Sequence, residues 1–349
     1  MQDEEIRLLT FDVNSIAYAC AYQPNLAKLQ SEGRPTGIIH GTVTSMLAVI
    51  RRHPNALPIT LWDGHAQWRK AIYPAYKADR TDKPDRIEAR RQVREQSPII
   101  SVLLQEMGIA QIRHPDAEAD DLAGLLARSA QARGLAMRMA SNDSDWWQAL
   151  SDTTDWLSVR DERHITLGTL SRVEKDAPKD GWASPVEYLE AKILAGDSSD
   201  NIEGIAGVGM TTAAKMLRTA PRGLDGILDG DFSGKGVVAD RFRTPEARAM
   251  IERNRQIMDW MRAPMPEPSD MACWSYPADL DACVRICREW GLSALAKRIE
   301  ARSVAFGCDA PDAWRVVLDA CECRDALADA QESMQEDDEP QGGVQAGLF

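Results

Sequence analysis

Nine carboxylates carry the chemistry this sequence offers: Asp12, Asp63, Glu118, Asp120, Asp121, Asp143, Asp145, Asp197 and Asp200. Asp12 closes the apolar run IRLLTFD, Asp63 closes LPITLWD, and Asp143 closes LAMRMASND. In DAEADDLAGLLA, Glu118 and Asp121 share a face if the segment is helical, with Leu122, Leu125 and Leu126 available for burial. In SNDSDWW, Asp143 and Asp145 alternate and face one way on an extended chain. Each motif alone has a plainer reading, as acids favouring a helix N-terminus or as a solvated turn. Asp197 and Asp200 run directly into GIAGVGMTTAAKML, whose glycines and following helix start suit a phosphate. Carboxylates crowded into one cleft raise each other's pKa unless cations stand between them. Oxygen-only donors without paired histidines suit Mg²⁺ or Mn²⁺ rather than Zn²⁺. Two such ions about 3.5–4 Å apart are the arrangement that hydrolyses phosphodiesters.

The elements that must position these acids follow from the same runs. Apolar runs ending in Asp read as strands, and GIIHGTVTSMLAVIRRH and the stretch from Arg90 to Met107 have helical spacing between them. Alternating strands and helices predict an α/β fold with a mostly parallel sheet, whose ligand sites gather at the carboxyl ends of the strands. A mostly helical region is expected from about Ala195, with loops at 174–180 and around Pro185. Further helices are expected over Pro245–Trp260 and Leu280–Ala301, joined by the linker PMPEPSD. After Met334 the acidic, glycine-containing tail is expected to be disordered.

The chain has 349 residues, a net charge of −13, 44% apolar and 27% charged residues. That balance argues against a protein that merely coats nucleic acid, yet charge is segregated. From Arg69 to Arg94 nine basic residues, Arg80, Lys83, Arg86, Arg90 and Arg91 among them, stand against four acids. Trp68, Tyr73 and Tyr76 interleave with them, as packing residues or as a surface for an unpaired base. Seven cysteines, an odd number, point to a reducing compartment. With no basic-then-apolar leader and no long apolar span, a cytoplasmic protein without a membrane segment is expected. Cys283-x₃-Cys287 and Cys321-x-Cys323 fit no standard zinc finger, and buried thiols are the expectation for Cys273, Cys283, Cys287, Cys308, Cys321 and Cys323.

Taken together, LLTFDVNSIAY, ITLWDGHAQWRKAIYPAYKADR, EADDLAGLLA, SNDSDWWQAL and GDSSDNIEGIAGVGMTTAAKML resemble the ordered motifs of the 5′-nuclease superfamily. It comprises flap endonucleases, phage 5′–3′ exonucleases and the 5′-nuclease domain of bacterial DNA polymerase I, and the resemblance spans roughly residues 6–260. It implies a PIN-like (resolvase-like) domain over 1–195 with a helical arch at about 66–95 that gathers a single-stranded 5′ end through Arg80, Lys83, Arg86, Arg90 and Arg91. A helix–three-turn–helix over 196–262 would hold duplex DNA by its backbone, with a K⁺ ion, through Gly204, Gly207, Gly209 and Lys215. A helical region would follow over 263–330 and a tail over 331–349. All nine acids fall on the family's metal-ligand positions, Lys77 on a lysine that contacts the scissile phosphate, and Arg69 on a basic residue near the reacting strand. The implied activity is hydrolysis of DNA at 5′ ends, flaps or branched junctions, with RNA primers as a further substrate, by a monomeric, free-standing enzyme.

The closing QAGLF resembles the peptide with which bacterial replication proteins dock on the sliding clamp, with Gln345, Leu348 and Phe349 as anchors. Two other functions compete with the nuclease. A non-catalytic branched-DNA binder is disfavoured because unpaired acids would repel DNA. A PIN-type endoribonuclease is disfavoured by its smaller acid set and by the Gly204–Lys215 segment.

Overall fold

The computed structural model describes residues 6–78, 84–173, 177–260, 271–301 and 311–321. Its centre is a seven-stranded sheet made of β1 (Leu8–Asp12), β2 (Leu57–Trp62), β3 (Ala110–Arg113), β4 (Met137–Ala140), β5 (Thr154–Leu157), β6 (His164–Ile165) and β7 (Ala272–Trp274). The spatial order is β7-β3-β2-β1-β4-β5-β6. The five inner strands are parallel, and β6 and β7 close the two edges antiparallel. β1 and β2 are buried along their whole length, which is why they read as continuous apolar runs.

The pleat divides the core in two. Leu8, Ile59, Leu61, Met137 and Met139 pack with Leu122 and Leu126 of α5 (Ala119–Ala132). Leu9 and Phe11 pack with Ile16 of α1 (Val13–Ala21), Ile39 and Val43 of α2 (Gly37–Ile50), and Ile100 and Leu104 of α4 (Pro84–Glu106). Between α2 and α4 along the chain lies the short α3 (Gln67–Ile72). The buried Gln96 of α4 accepts the N–H groups of Ile38 and Ile39 at 3.0 and 3.1 Å, capping α2 from another element. Those two bonds tie the middle of α4 to the first turn of α2.

Beyond the sheet, α6 (Pro185–Ala195) packs on α7 (Met210–Leu217) and on α8 (Pro245–Met258). Pro185 is not in a loop but opens α6, where its missing N–H costs nothing and Ser184 caps Glu187 N–H at 3.0 Å. The expected helix over Leu280–Ala301 is two, α9 (Leu280–Glu289) and α10 (Ser293–Glu300), broken at Gly291 with φ +65°. α11 (Pro311–Cys321) lies along α5, held by Arg7–Asp312 at 3.1 Å and by Ser129 Oγ donating to Val316 O at 3.0 Å. The linker expected at 264–270, Cys308, Cys323 and the tail with Gln345, Leu348 and Phe349 lie outside the described residues, as do Arg80 and Lys83. Cys283 and Cys287 are buried thiols one turn apart in α9, and Cys273 is half-buried in β7. Among the described residues no helix is long and apolar enough to cross a membrane.

Candidate active site

Asp12 ends β1 and also caps α1: one carboxyl oxygen accepts Ser15 N–H at 2.8 Å, the other the Ser141 hydroxyl at 2.9 Å. Asp63, just past β2, accepts Asn14 Nδ2 at 2.7 Å and Ala119 N–H at 2.9 Å. Asp120 accepts the indole N–H of Trp146 at 2.7 Å. Asp143 caps the short 3₁₀ turn Ser144–Ala149 through Asp145 N–H at 2.9 Å. Every acid is therefore held by a donor that its own fold supplies. Asp12, Asp63, Glu118, Asp120 and Asp143 line one cleft together with Lys77, Arg86 and Arg90.

Burial pushes the Asp12 carboxyl up to about 8, with Asp63 adding to it. Burial and then Glu118 raise Asp63, and burial and then Asp143 raise Asp120 well above the carboxylate range. Glu118 is the exception: burial works against its charge, but Lys77 and Arg69 outweigh it and hold it at about 2. Lys77 Nζ donates to Glu118 at 2.6 Å and stands 3.6 Å from Asp200. The protein thus supplies fewer cations than its buried carboxylates need, and all the donors are oxygens. A hard divalent cation fits that deficit. Among the described residues no three acidic, imidazole or thiol groups converge as a ready-made cage, so the donors ring the cleft rather than a point.

A second cleft, sharing Asp143, holds Asp145, Asp197, Ser199 and Lys192. Lys192, in the last turn of α6, donates to Asp145 and, at 2.8 Å, to Asp197. Ser199 fixes the other Asp197 oxygen with its N–H at 2.7 Å and its hydroxyl at 2.6 Å. One ammonium does not satisfy both acids. Against burial, Lys192 and Ser199 keep Asp197 at about 2, while burial outweighs Lys192 at Asp145 and leaves it at about 7. Sequence reasoning missed Lys192, whose role appears only when three separate elements meet.

The structure corrects two further assignments. Arg69 is 2% exposed and does not reach the cleft. Its guanidinium forks onto Asp121 at 2.6 and 2.7 Å, its Nε donates to Ile257 O at 3.0 Å, and Glu118 lies 3.2 Å away. Asp121 thus commits its carboxylate to Arg69 and does not line the cleft. Its carboxyl also accepts Glu118 N–H at 2.9 Å, so the Glu118/Asp121 spacing is a capping box. Trp68, Tyr73 and Tyr76 are packing groups as well. Tyr76 donates its hydroxyl to Glu118 at 2.7 Å, Trp68 stacks under Arg69, and Tyr73 under Arg253. Arg91 is paired with Glu88 and Glu95 on the exposed side of α4, whereas Arg86 and Arg90 line the cleft.

Asp200 and Asn201 are tied to the segment Ala75–Lys77. The Asp200 carbonyl accepts Lys77 N–H at 2.8 Å, and Asn201 Nδ2 donates to Ala75 O at 2.8 Å. Both Lys77 and Asn201 hold a left-handed φ of +56°, strain that this reciprocal clasp maintains. In the following turn, a Cβ on Gly204 would lie 2.1 Å from the Ala195 carbonyl, so only glycine fits this close against the end of α6. Gly209, at the start of α7, has open space beside it, and Lys215 is exposed on the same helix. The K⁺ expected at this turn meets competition. Arg241 donates to Ala206 O at 2.5 Å, and Arg253 and Asn254 donate to Glu203 O at 3.1 and 2.8 Å.

Residues 7–176 match the family model of the 5′–3′ exonuclease N-terminal resolvase-like domain. The thermostable DNA polymerase I of Thermus filiformis is 30% identical over 218 residues, which are 62% of this chain and 24% of that protein. The chain spans about a quarter of the length of the curated relatives it matches. The T5 5′-exonuclease with bound zinc superposes with a TM-score of 0.59 at 17% identity, covering 85% of this chain and 99% of the phage protein. The T5 flap endonuclease in a pseudo-enzyme-product complex with DNA and metal ions gives 0.58, with the same identity and coverage. At that identity the likeness is one of fold.

Proposed function

We propose, from the match of residues 7–176 to the family model of the 5′–3′ exonuclease N-terminal resolvase-like domain, that this chain is a divalent-metal-dependent nuclease. It cuts DNA phosphodiesters at 5′ ends, flaps or branched junctions, with primer RNA as a further substrate. The observation that carries this reading is the under-compensated ring of Asp12, Asp63, Glu118, Asp120 and Asp143 facing Lys77 and the basic side of α4.

Asp12, Asp63, Asp120 and Asp143 would hold one Mg²⁺ or Mn²⁺ ion, and Asp143, Asp145 and Asp197 a second. Such ions, when bound, supply Lewis-acid stabilisation of the charge that develops on a phosphodiester. The chain's own groups do the rest. Glu118 fixes the Lys77 ammonium at the cleft, where it faces a phosphate's oxygens. Arg86 and Arg90 draw a single strand across the opening, and the Gly209 end of α7 with Lys215 receives duplex backbone without reading sequence. The clasp between Ala75–Lys77 and Asp200–Asn201 sets the distance between those two functions. Docking of residues 345–349 on a sliding clamp belongs to the same proposal, and deletion of those five residues tests it by pull-down.

The test of activity is digestion of 5′-labelled flap, nicked and blunt DNA across Mg²⁺ and Mn²⁺ concentrations, with product lengths read out. Cleavage that disappears with a chelator and in Asp63→Ala is the expected result. A protein that binds these substrates but cuts none at any metal concentration would overturn the reading.

A further inference from the structure

Lys192 is an unusual neighbour for two acids that stand beside the cleft. Its side chain is 13% exposed, and its ammonium lies between Asp145 of the 3₁₀ turn and Asp197 beyond α6. Three separate constraints keep it there. α6 is anchored at its start by the Ser184 cap, Tyr188 one turn earlier donates to Ser144 Oγ at 3.1 Å, and Ser199 immobilises the far oxygen of Asp197. The near oxygens of Asp145 and Asp197 are thereby given to the ammonium. A divalent ion seated on the same pair needs those same lone pairs.

We propose that Lys192 is a built-in counter-cation: it keeps the Asp145–Asp197 pair assembled in the metal-free protein, and a second divalent ion must displace it to bind. It is a positioning residue that sets the metal concentration at which the second position fills, and it leaves the Asp12–Asp63–Asp120 side unaffected. This inference rests on the metal-dependent reading above. Its consequence is unequal occupancy, with the first ion binding to carboxylates held by neutral donors and the second only against an internal competitor.

The test uses the full chain without DNA. Calorimetric titration with Mn²⁺ resolves two classes of site in the wild type, and in Lys192→Met the weaker class tightens by about tenfold or more while the tighter one is unchanged. In parallel, the ¹⁵N-labelled lysine ammonium signal of Lys192 in the wild type is followed during Mg²⁺ titration, which requires no variant to fold. Loss of that signal's ion-paired shift with the second equivalent, and not the first, is expected. A weaker class that is unchanged or weakened in Lys192→Met overturns the proposal. So does tightening with an ammonium signal that never moves, since that would be remote charge rather than displacement. Absence of any divalent binding overturns the metal-dependent reading itself and this inference with it, whereas normal tight-class binding beside an unmoved Lys192 overturns this inference alone.

Discussion

Arg69 and Asp121, 52 positions apart in the chain, form a two-point ion pair at 2.6 and 2.7 Å in the protein interior. Removing one member strands the other as a buried charge, which costs about 3–5 kcal/mol. Arg69→Met is therefore expected to lower the urea midpoint sharply, and Arg69→Met with Asp121→Leu to recover much of it. If the double variant is as unstable as the single one, the pair is not acting as a unit.

Arg90 and Arg91 are adjacent but face different surroundings, the first lining the cleft and the second locked between Glu88 and Glu95. Arg90→Ala should flatten the dependence of log Kd on log salt for a 5′-flap DNA by roughly 0.7–0.9, the worth of one phosphate contact. Arg91→Ala should leave the slope alone. Fluorescence anisotropy across a salt series separates the two, and equal slopes would remove Arg90 from the strand path.

Asp12→Asn keeps the oxygen that caps α1 and presents an amide to the Ser141 hydroxyl, while removing a carboxyl whose ionisation burial and Asp63 oppose. In a chelator it is expected to melt higher than the wild type. On adding Mg²⁺ the wild type should gain Tm by mass action, and the variant should gain much less and not cleave. A variant with the full Mg²⁺ increment would take Asp12 out of the ion-binding set.

Asp155 governs an acid-sensitive part of the fold. It is buried between Arg138, at 2.8 Å on each oxygen, and His164 at 2.7 Å. Burial pushes its carboxyl up, but those hydrogen bonds more than offset it and hold it below the usual value. Because the folded pKa is depressed, the stabilisation is present above the unfolded value near 4 and is lost as pH falls through the folded one. Asp155→Asn should cost about 3–5 kcal/mol at pH 7 by leaving Arg138 uncompensated, and should shrink the loss of stability between about pH 4 and 2. Urea unfolding at a series of pH values measures both, and parallel curves would contradict the assignment.

What could be read from the chain was what neighbouring residues determine. β1 and β2 announce themselves because runs buried on both faces are continuous and stop at an acid, and β4 does so despite Arg138 because its flanking apolar residues run on to Asp143. β3 and β5 do not, since AQIR and TDWL carry polar residues whose burial makes sense only with distant partners. Gln111 takes the indole N–H of Trp62 at 3.0 Å and the Ser101 hydroxyl at 2.9 Å. The Glu118/Asp121 pair shows the limit most clearly. A three-residue spacing puts two acids on one face only inside a helix, and Glu118, with φ −86° and ψ 164°, is the residue before it. Arg69 and Lys192 were beyond reach for the same reason, because basic side chains near helices are ordinarily solvated and only the tertiary structure buries these two.

The stretch that matches the family model ends at residue 176, yet the folded unit does not. Trp260 meets Trp146 edge-on at 6.2 Å, packed close over Gly124, and Trp146 is the residue whose indole N–H orients Asp120. Ala272–Trp274 covers the outer edge of Ala110–Arg113. A fragment cut at 176 would carry a raw strand edge, inviting association with other copies, and Asp120 would lose the support behind its indole tether. The site is thus built from both halves of the polypeptide, and it cannot be lifted out with the segment that makes it recognisable.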